Sequence, residues 1–132
     1  MADNRTVVAT IGRDKYVTSL QNGVHTVFAD EPADIGGKDS APSPGDYLRM
    51  SLASCTAITL RMYADRKGFS VDEIKVEVRT EEAEGKTIFI TQVFLKGDVN
   101  PEQRARMLKI ANACPVHKVL TNPIAVRTAV LN

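Results

Sequence analysis

The segment from Pro44 to Lys67 constrains this chain more than any other. It is built of good helix formers and carries no charge between Met50 and Leu60. At about 100° per residue, Leu48, Leu52, Cys55, Thr59 and Met62 fall on one side of a helix, while Met50, Ala53, Ala57, Leu60 and Ala64 cover the opposite side. Charges stand only towards its ends, at Asp46, Arg49, Arg61, Asp65, Arg66 and Lys67. A helix that is apolar nearly all round has to be covered on more than one side, so its middle belongs between sheets or between subunits. The boundaries are also written locally. Ser43 is an N-cap residue with Pro44 at the first helical position and Asp46 at the capping-box position, and Gly68 supplies the stop.

The remaining elements are shorter. Arg5–Ile11, Lys15–Leu20 and Val24–Ala29 are expected as strands, the last two joined through Asn22-Gly23, because both residues accept positive φ. Asp30–Pro44, rich in Gly, Pro and Asp, is a long loop of functional length. Asp72–Thr80 alternates Ile74, Val76 and Val78 with Lys75, Glu77 and Arg79, the period of a strand with one wet face. Glu81–Lys86 is expected as a polar turn. Thr87–Lys96, apolar on both parities, is expected as a central strand. Asn100-Pro101-Glu102-Gln103 signals a second capped helix that turns Met107, Ile110, Ala111 and Cys114 inward. Pro115 interrupts it; a short helix Pro115–Leu120 and a last strand Ile124–Leu131 complete the chain. The expected order is βββ-α-ββ-α-β, an α+β arrangement in one domain spanning residues 1–132.

Several functions are excluded or disfavoured at this level. Seventeen Lys and Arg against 16 Asp and Glu leave a formal charge of +1, with no basic stripe to hold a phosphate backbone, so nucleic acid is not an expected partner. The uncharged run of the long segment is far short of the roughly 20 apolar residues a membrane helix needs. The opening Met-Ala-Asp-Asn-Arg lacks the apolar core of a secretory signal, so the expected setting is soluble and cytoplasmic. Gly36-Gly37 does not have the spacing of a phosphate loop, and no cofactor is expected. No strand-turn-helix nucleophile elbow frames a Ser-His-Asp triad.

The scarce reactive side chains are two cysteines and two histidines. In a reducing compartment a cysteine pair is seldom a structural staple. Cys55 in mid-helix has the bland alternative of a small core hydrophobe. Cys114, followed by Pro115, is a natural N-cap for the next turn, where amide dipoles lower a thiol pKa. A reversible dithiol and inert packing both remain open on these residues. Cys114-x-x-His117 has one ligand-like spacing, but Cys55 and His25 have no close companions, so no metal is expected.

The stretches Asp30-Glu31-Pro32, Gly36-Gly37, Pro42-Ser43-Pro44 and Leu52-Ala53-Ser54-Cys55-Thr56-Ala57, followed by Ala113-Cys114-Pro115-Val116-His117-Lys118, resemble the OsmC/Ohr family of thiol-dependent hydroperoxide reductases. The resemblance runs in order over nearly the whole chain and is greatest to the OsmC-like branch carrying Cys-Pro-Val-His. It implies an intertwined homodimer with two long helices at its centre and active sites at the subunit interface. It further implies Cys55 as peroxidatic nucleophile and Cys114 as resolving thiol, whereas the helix-terminus argument by itself favours Cys114 as the more acidic of the two. Thr10-Ile11-Gly12-Arg13-Asp14 resembles the family's Gly-Arg-Asp segment, which makes Arg13 the candidate cation for the thiolate and the peroxide.

One departure stands out. The family Glu that pairs with this Arg lies ten positions before the peroxidatic Cys, where this chain has Gly45. Asp46, one residue on, is the substitute candidate, although on a regular helix it stands nearly opposite Cys55 and suits the capping role better. The expected substrate is an organic hydroperoxide, because Leu, Met and Ile surround Cys55 on the helix, and a dithiol or thiol must act as reductant. The alternative is a non-catalytic protein on the same dimeric fold that binds a small apolar ligand or senses redox state.

Overall fold

Asn22 turns the chain back on itself: its side-chain carbonyl accepts the Val24 and His25 amides at 3.0 and 2.8 Å, and Gly23 takes φ 92°. On this turn and the bend before it hang three antiparallel strands, β1 (Val8–Ile11), β2 (Thr18–Gln21) and β3 (Thr26–Ala29), in the order β1-β2-β3. The computed structural model describes residues 4–132, so Met1, Ala2 and Asp3 of the N-terminal stretch read above lie outside it. The strands are shorter than the sequence suggests for a definite reason. Val8 pairs with Gln21, the last residue of β2, so the ladder between β1 and β2 begins at Val8.

Two compact units make up the chain, the first reaching Met50 and the second beginning at Ser51. In the first, the loop after β3 is ordered around Asp30, which is 2% exposed. Its carboxylate accepts the amides of Tyr16, Glu31, Lys38 and Ser40 and the Ser40 hydroxyl, the last at 2.6 Å. The Ser40 hydroxyl above all, then the amides, hold this carboxyl well below the usual range against the opposing effect of burial. Gly37 is required here by space: a Cβ would stand 2.0 Å from the Glu31 carbonyl oxygen.

The long helix α1 runs over Pro44–Lys67 as expected. Ser43 Oγ accepts the Asp46 amide at 3.1 Å and Asp46 returns the bond to the Ser43 amide at 3.0 Å, a reciprocal capping box. At the other end Gly68, with φ 70°, lets Phe69 donate back to Ala64 at 2.9 Å, so two of the last carbonyls are satisfied.

In the second unit β4 (Ser70–Ala83) and β5 (Lys86–Asp98) form an antiparallel hairpin. The expected turn over Glu81–Lys86 contracts to Glu84-Gly85, both at positive φ, which matches the twist of the strands and extends the pairing to Ala83 and Lys86. β5 is not a central strand: among the described residues it pairs with β4 alone, and most of its side chains are exposed. α2 (Pro101–Ala111) begins at the expected capping box, with Asn100 and Gln103 exchanging bonds of 2.8 and 3.1 Å. α3 (Pro115–Thr121) follows. The last expected strand, Ile124–Leu131, does not form. The segment carries no regular structure, and Ile124, Val126, Val130 and Leu131 are strongly exposed, because no strand edge of the described chain pairs with it. The fold class is α+β, as expected, with the observed order βββ-α-ββ-α-α.

The core of the second unit is Leu60, Tyr63, Ala64, Val71, Val99, Met107 and Ala111, with Phe69 set edge-on to Tyr63 at 5.8 Å. Met107 and Ala111 point inward as their spacing predicts. The stripe of α1 buried within the chain is Leu52, Thr56, Leu60, Tyr63 and Ala64. That stripe lies between the two faces that the sequence singles out, so each contributes only its margin. Leu48, Met50, Ile58 and Met62 remain about half exposed or more.

Candidate functional site

Cys55 and Cys114 come together in the second unit, and the first turn of α3 is what they share. Cys114 is the N-cap of that helix and accepts the His117 amide on Sγ at 3.3 Å. Pro115 at the next position has no N–H, so the first amides the helix can offer are those of Val116 and His117. His117 N–H donates to the Cys114 sulfur, and the Val116 amide stands close enough to the Cys55 sulfur to favour its thiolate. Cys114 is not on the inward face of α2, as its spacing suggests, because that helix ends at Ala111; it lies three residues on and is fully buried, while Cys55 on α1 is only partly so. Both thiols are free.

The electrostatics of Cys55 follow from the same neighbours. Burial pushes its thiol above the ordinary cysteine range. The Val116 amide and the Thr59 hydroxyl, which favour the thiolate, pull it back, while the Cys114 sulfur beside it, through hydrogen bonding and charge, pushes it up. Cys114 has a further partner, the Thr56 hydroxyl, which donates to its Sγ at 3.7 Å from the helix that carries Cys55. Such an arrangement can close to a disulfide.

The other two candidates stand in the first unit. Arg13 lies exposed in the bend after β1. Asp46 is the capping carboxylate already described, and Arg49 Nη2 donates to it at 2.8 Å. The Ser43 amide first, then Arg49 and the Ser43 hydroxyl, lower its pKa. The carboxylate is thus engaged in capping the start of the helix and in an ion pair one turn along it, the role its position on the helix favours over catalysis. His25 stands in the β2–β3 turn and His117 in α3, so the two histidines belong to different units. Among the described residues no three His, Cys, Asp or Glu side chains gather as a metal site.

Sequence reasoning missed Thr56, Thr59 and the Val116 amide. Thr59 is four residues after Cys55, the spacing at which helix neighbours meet, and was findable from that alone. Thr56 was not, because its partner comes from a helix nearly 60 residues away in the chain.

The fold recurs in solved structures. A candidate osmotic-stress-induced and detoxification response protein from Psychrobacter arcticus matches with a TM-score of 0.74 at 23% identity, over 90% of this chain and 90% of that one. An OsmC-like protein from Mycoplasma pneumoniae matches with a TM-score of 0.74 at 15% identity, over 91% and 89%. The organic hydroperoxide resistance protein OhrB of Bacillus subtilis matches with a TM-score of 0.62 at 20% identity, over 92% and 93%. No curated protein matches the chain. Residues 37–129, which carry the Gly37 loop, α1 with Cys55 and the Cys114-Pro115 cap, match the family model described as OsmC-like protein, and the chain belongs to that family.

Proposed function

We propose that this chain is a thiol-dependent hydroperoxide reductase that acts on organic hydroperoxides in oxidative stress defence. The observation that carries the reading is the pairing of Cys55 and Cys114 beside one helix terminus, with the His117 amide and the Thr56 hydroxyl donating to the Cys114 sulfur. In the first step the Cys55 thiolate attacks the distal oxygen of the hydroperoxide. The O–O bond breaks, the alkoxide leaves and takes a proton to become an alcohol, and Cys55 is oxidised to a sulfenic acid. In the second step the Cys114 sulfur attacks the Cys55 sulfur. The S–S bond forms, the S–O bond breaks, and hydroxide leaves and is protonated to water. An outside dithiol or thiol returns both cysteines to the reduced state, as the cytoplasm allows. Arg13 is assigned to stabilising the thiolate and orienting the peroxide, and the Leu, Met and Ile side chains of α1 around Cys55 to receiving the alkyl chain.

The working unit in this proposal is a homodimer of one OsmC-like domain per chain. In its support, α1 leaves Leu48, Met50, Ile58 and Met62 substantially exposed, and the C-terminal Val126, Val130 and Leu131 are each more than four-fifths exposed. Apolar surface of this extent is uncommon on a finished monomer.

The test is to add cumene hydroperoxide to reduced protein and to follow thiol loss and intact mass for wild type, Cys55→Ser and Cys114→Ser. The expected wild-type product is the intramolecular disulfide, and Cys114→Ser is expected to carry Cys55 on to the sulfinic acid. A wild type that stays reduced in excess peroxide would sink the enzyme reading, and a Cys114 that oxidises readily without Cys55 would reverse the two roles.

One feature favours a second reading, a protein that binds a small apolar ligand. A cavity of about 510 Å³ in the second unit is lined by Leu52, Phe89, Val93, Leu108 and Leu120 among others and touches neither cysteine. Its size falls in the range of small-molecule sites. An apolar fluorescent probe that binds the Cys55→Ser, Cys114→Ser double variant as it binds wild type, in protein inert to peroxide, would select this reading.

A further inference from the structure

Thr56 is the one fully buried hydroxyl of α1, 1% exposed in the stripe that faces the core. A buried hydroxyl is costly unless bonded, and valine, of the same shape, would fill such a place without that cost. What the hydroxyl has in exchange is the Cys114 sulfur at 3.7 Å. Cys114 is thereby held from two directions. The His117 amide holds it from its own helix, at 3.3 Å, and Thr56 holds it from the helix of Cys55. The second tie is the informative one. Thr56 directly follows Cys55 along a rigid helix, so a sulfur bonded to Thr56 is kept at a set distance from Cys55 whatever α3 does.

From this geometry we infer that Thr56 is a positioning residue, whose hydroxyl holds the Cys114 sulfur in line for disulfide closure with Cys55. The inference rests on the dithiol reading above and deepens it, because resolution has to outrun a second peroxide on the Cys55 sulfenic acid. The hydroxyl acts through Cys114 and touches neither peroxide nor product.

Closure can be measured without peroxide. Diamide takes up one thiolate across its N=N bond; the second thiol then displaces the reduced hydrazine and leaves the disulfide, two electrons having passed to diamide. The experiment is the rate of diamide-driven closure at fixed pH in wild type, Thr56→Val and Thr56→Ser, with thermal melts of each. The expected result is closure about tenfold slower in Thr56→Val, the size of one lost hydrogen bond. Thr56→Ser, which keeps the hydroxyl and loses only the methyl, is expected to close at nearly the wild-type rate. Equal closure rates in wild type and Thr56→Val overturn the inference, as does a Thr56→Ser protein as slow as Thr56→Val. Wild type that closes with diamide but not with cumene hydroperoxide would count against the peroxidase and leave the positioning role standing.

Discussion

Each unit buries one polar centre, and the two are built in opposite ways. Around Asp30, four amides and a hydroxyl converge on a single carboxylate, all from Tyr16 to Ser40. The charge is saturated, and the carboxyl is held ionised far below its ordinary range. Around Cys55 and Cys114, the His117 amide and the Thr56 hydroxyl donate to one sulfur, the Val116 amide and the Thr59 hydroxyl stand near the other, and burial pushes the Cys55 thiol above its ordinary range. A buried group with every lone pair engaged is architecture. One held in its neutral form, beside a partner it can bond covalently, keeps its chemistry in reserve.

The largest effect is expected at the sulfur pair. Cys55→Ser should bring steady-state hydroperoxide consumption down to background with the melting temperature little changed, because a hydroxyl in that place is too weak a nucleophile. Measured turnover in this variant would move the chemistry elsewhere and end the contrast.

At Asp30 the effect should be on stability. Asp30→Ala leaves four loop amides without their acceptor, and its melting temperature should fall by several degrees, while closure of the cysteine pair by diamide persists in the folded protein. The pH dependence has a definite sign. Since the folded state lowers the Asp30 pKa, its contribution is fully present above the unfolded value of about 4 and is lost as pH falls below it towards the folded value. Acid titration of wild type against Asp30→Asn, followed by circular dichroism, should show this loss in wild type only.

For Cys55 the sign is reversed. Its raised pKa means stability that is present below the ordinary thiol value of about 8.5 and falls as pH rises past it. With Arg13 removed, as in Arg13→Ala, the rate of its first oxidation should climb about tenfold per pH unit through neutrality, and wild type should show the flatter profile of a thiolate held by a cation. A wild type as steep as Arg13→Ala would remove Arg13 from that role. Least should happen at the exposed Arg61–Asp65 pair of α1, 3.2 Å long, where Arg61→Ala is expected to cost about 0.3 kcal/mol in chemical denaturation.

How much of this was legible beforehand depended on the range of the interactions concerned. The start of α1 at Ser43-Pro44, its end at Gly68, the Asn100–Gln103 box and the inward face of α2 were all readable, because each is decided by groups within a few residues of one another. Thr87–Lys96 and Ile124–Leu131 were misread, since apolar composition says that a segment has to be covered and not by which neighbour. The Asp30 knot reads in the sequence only as a loop: nothing in Asp30–Pro44 announces that Tyr16 and Ser40 will donate to the same carboxylate.

The sequence by itself determined the α+β class, the helix limits, the family resemblance and the two cysteines that carry it. These follow from capping, period and motif, which act at short range along the chain. Tertiary structure alone decided that the first turn of α3 would lie beside both sulfurs, that Thr56 would reach Cys114, and that the buried stripe of α1 would run between its two apolar faces. Those outcomes depend on how separate helices approach in space, and hydrogen-bond direction and packing settle that only once the core around Leu60 and Met107 has closed.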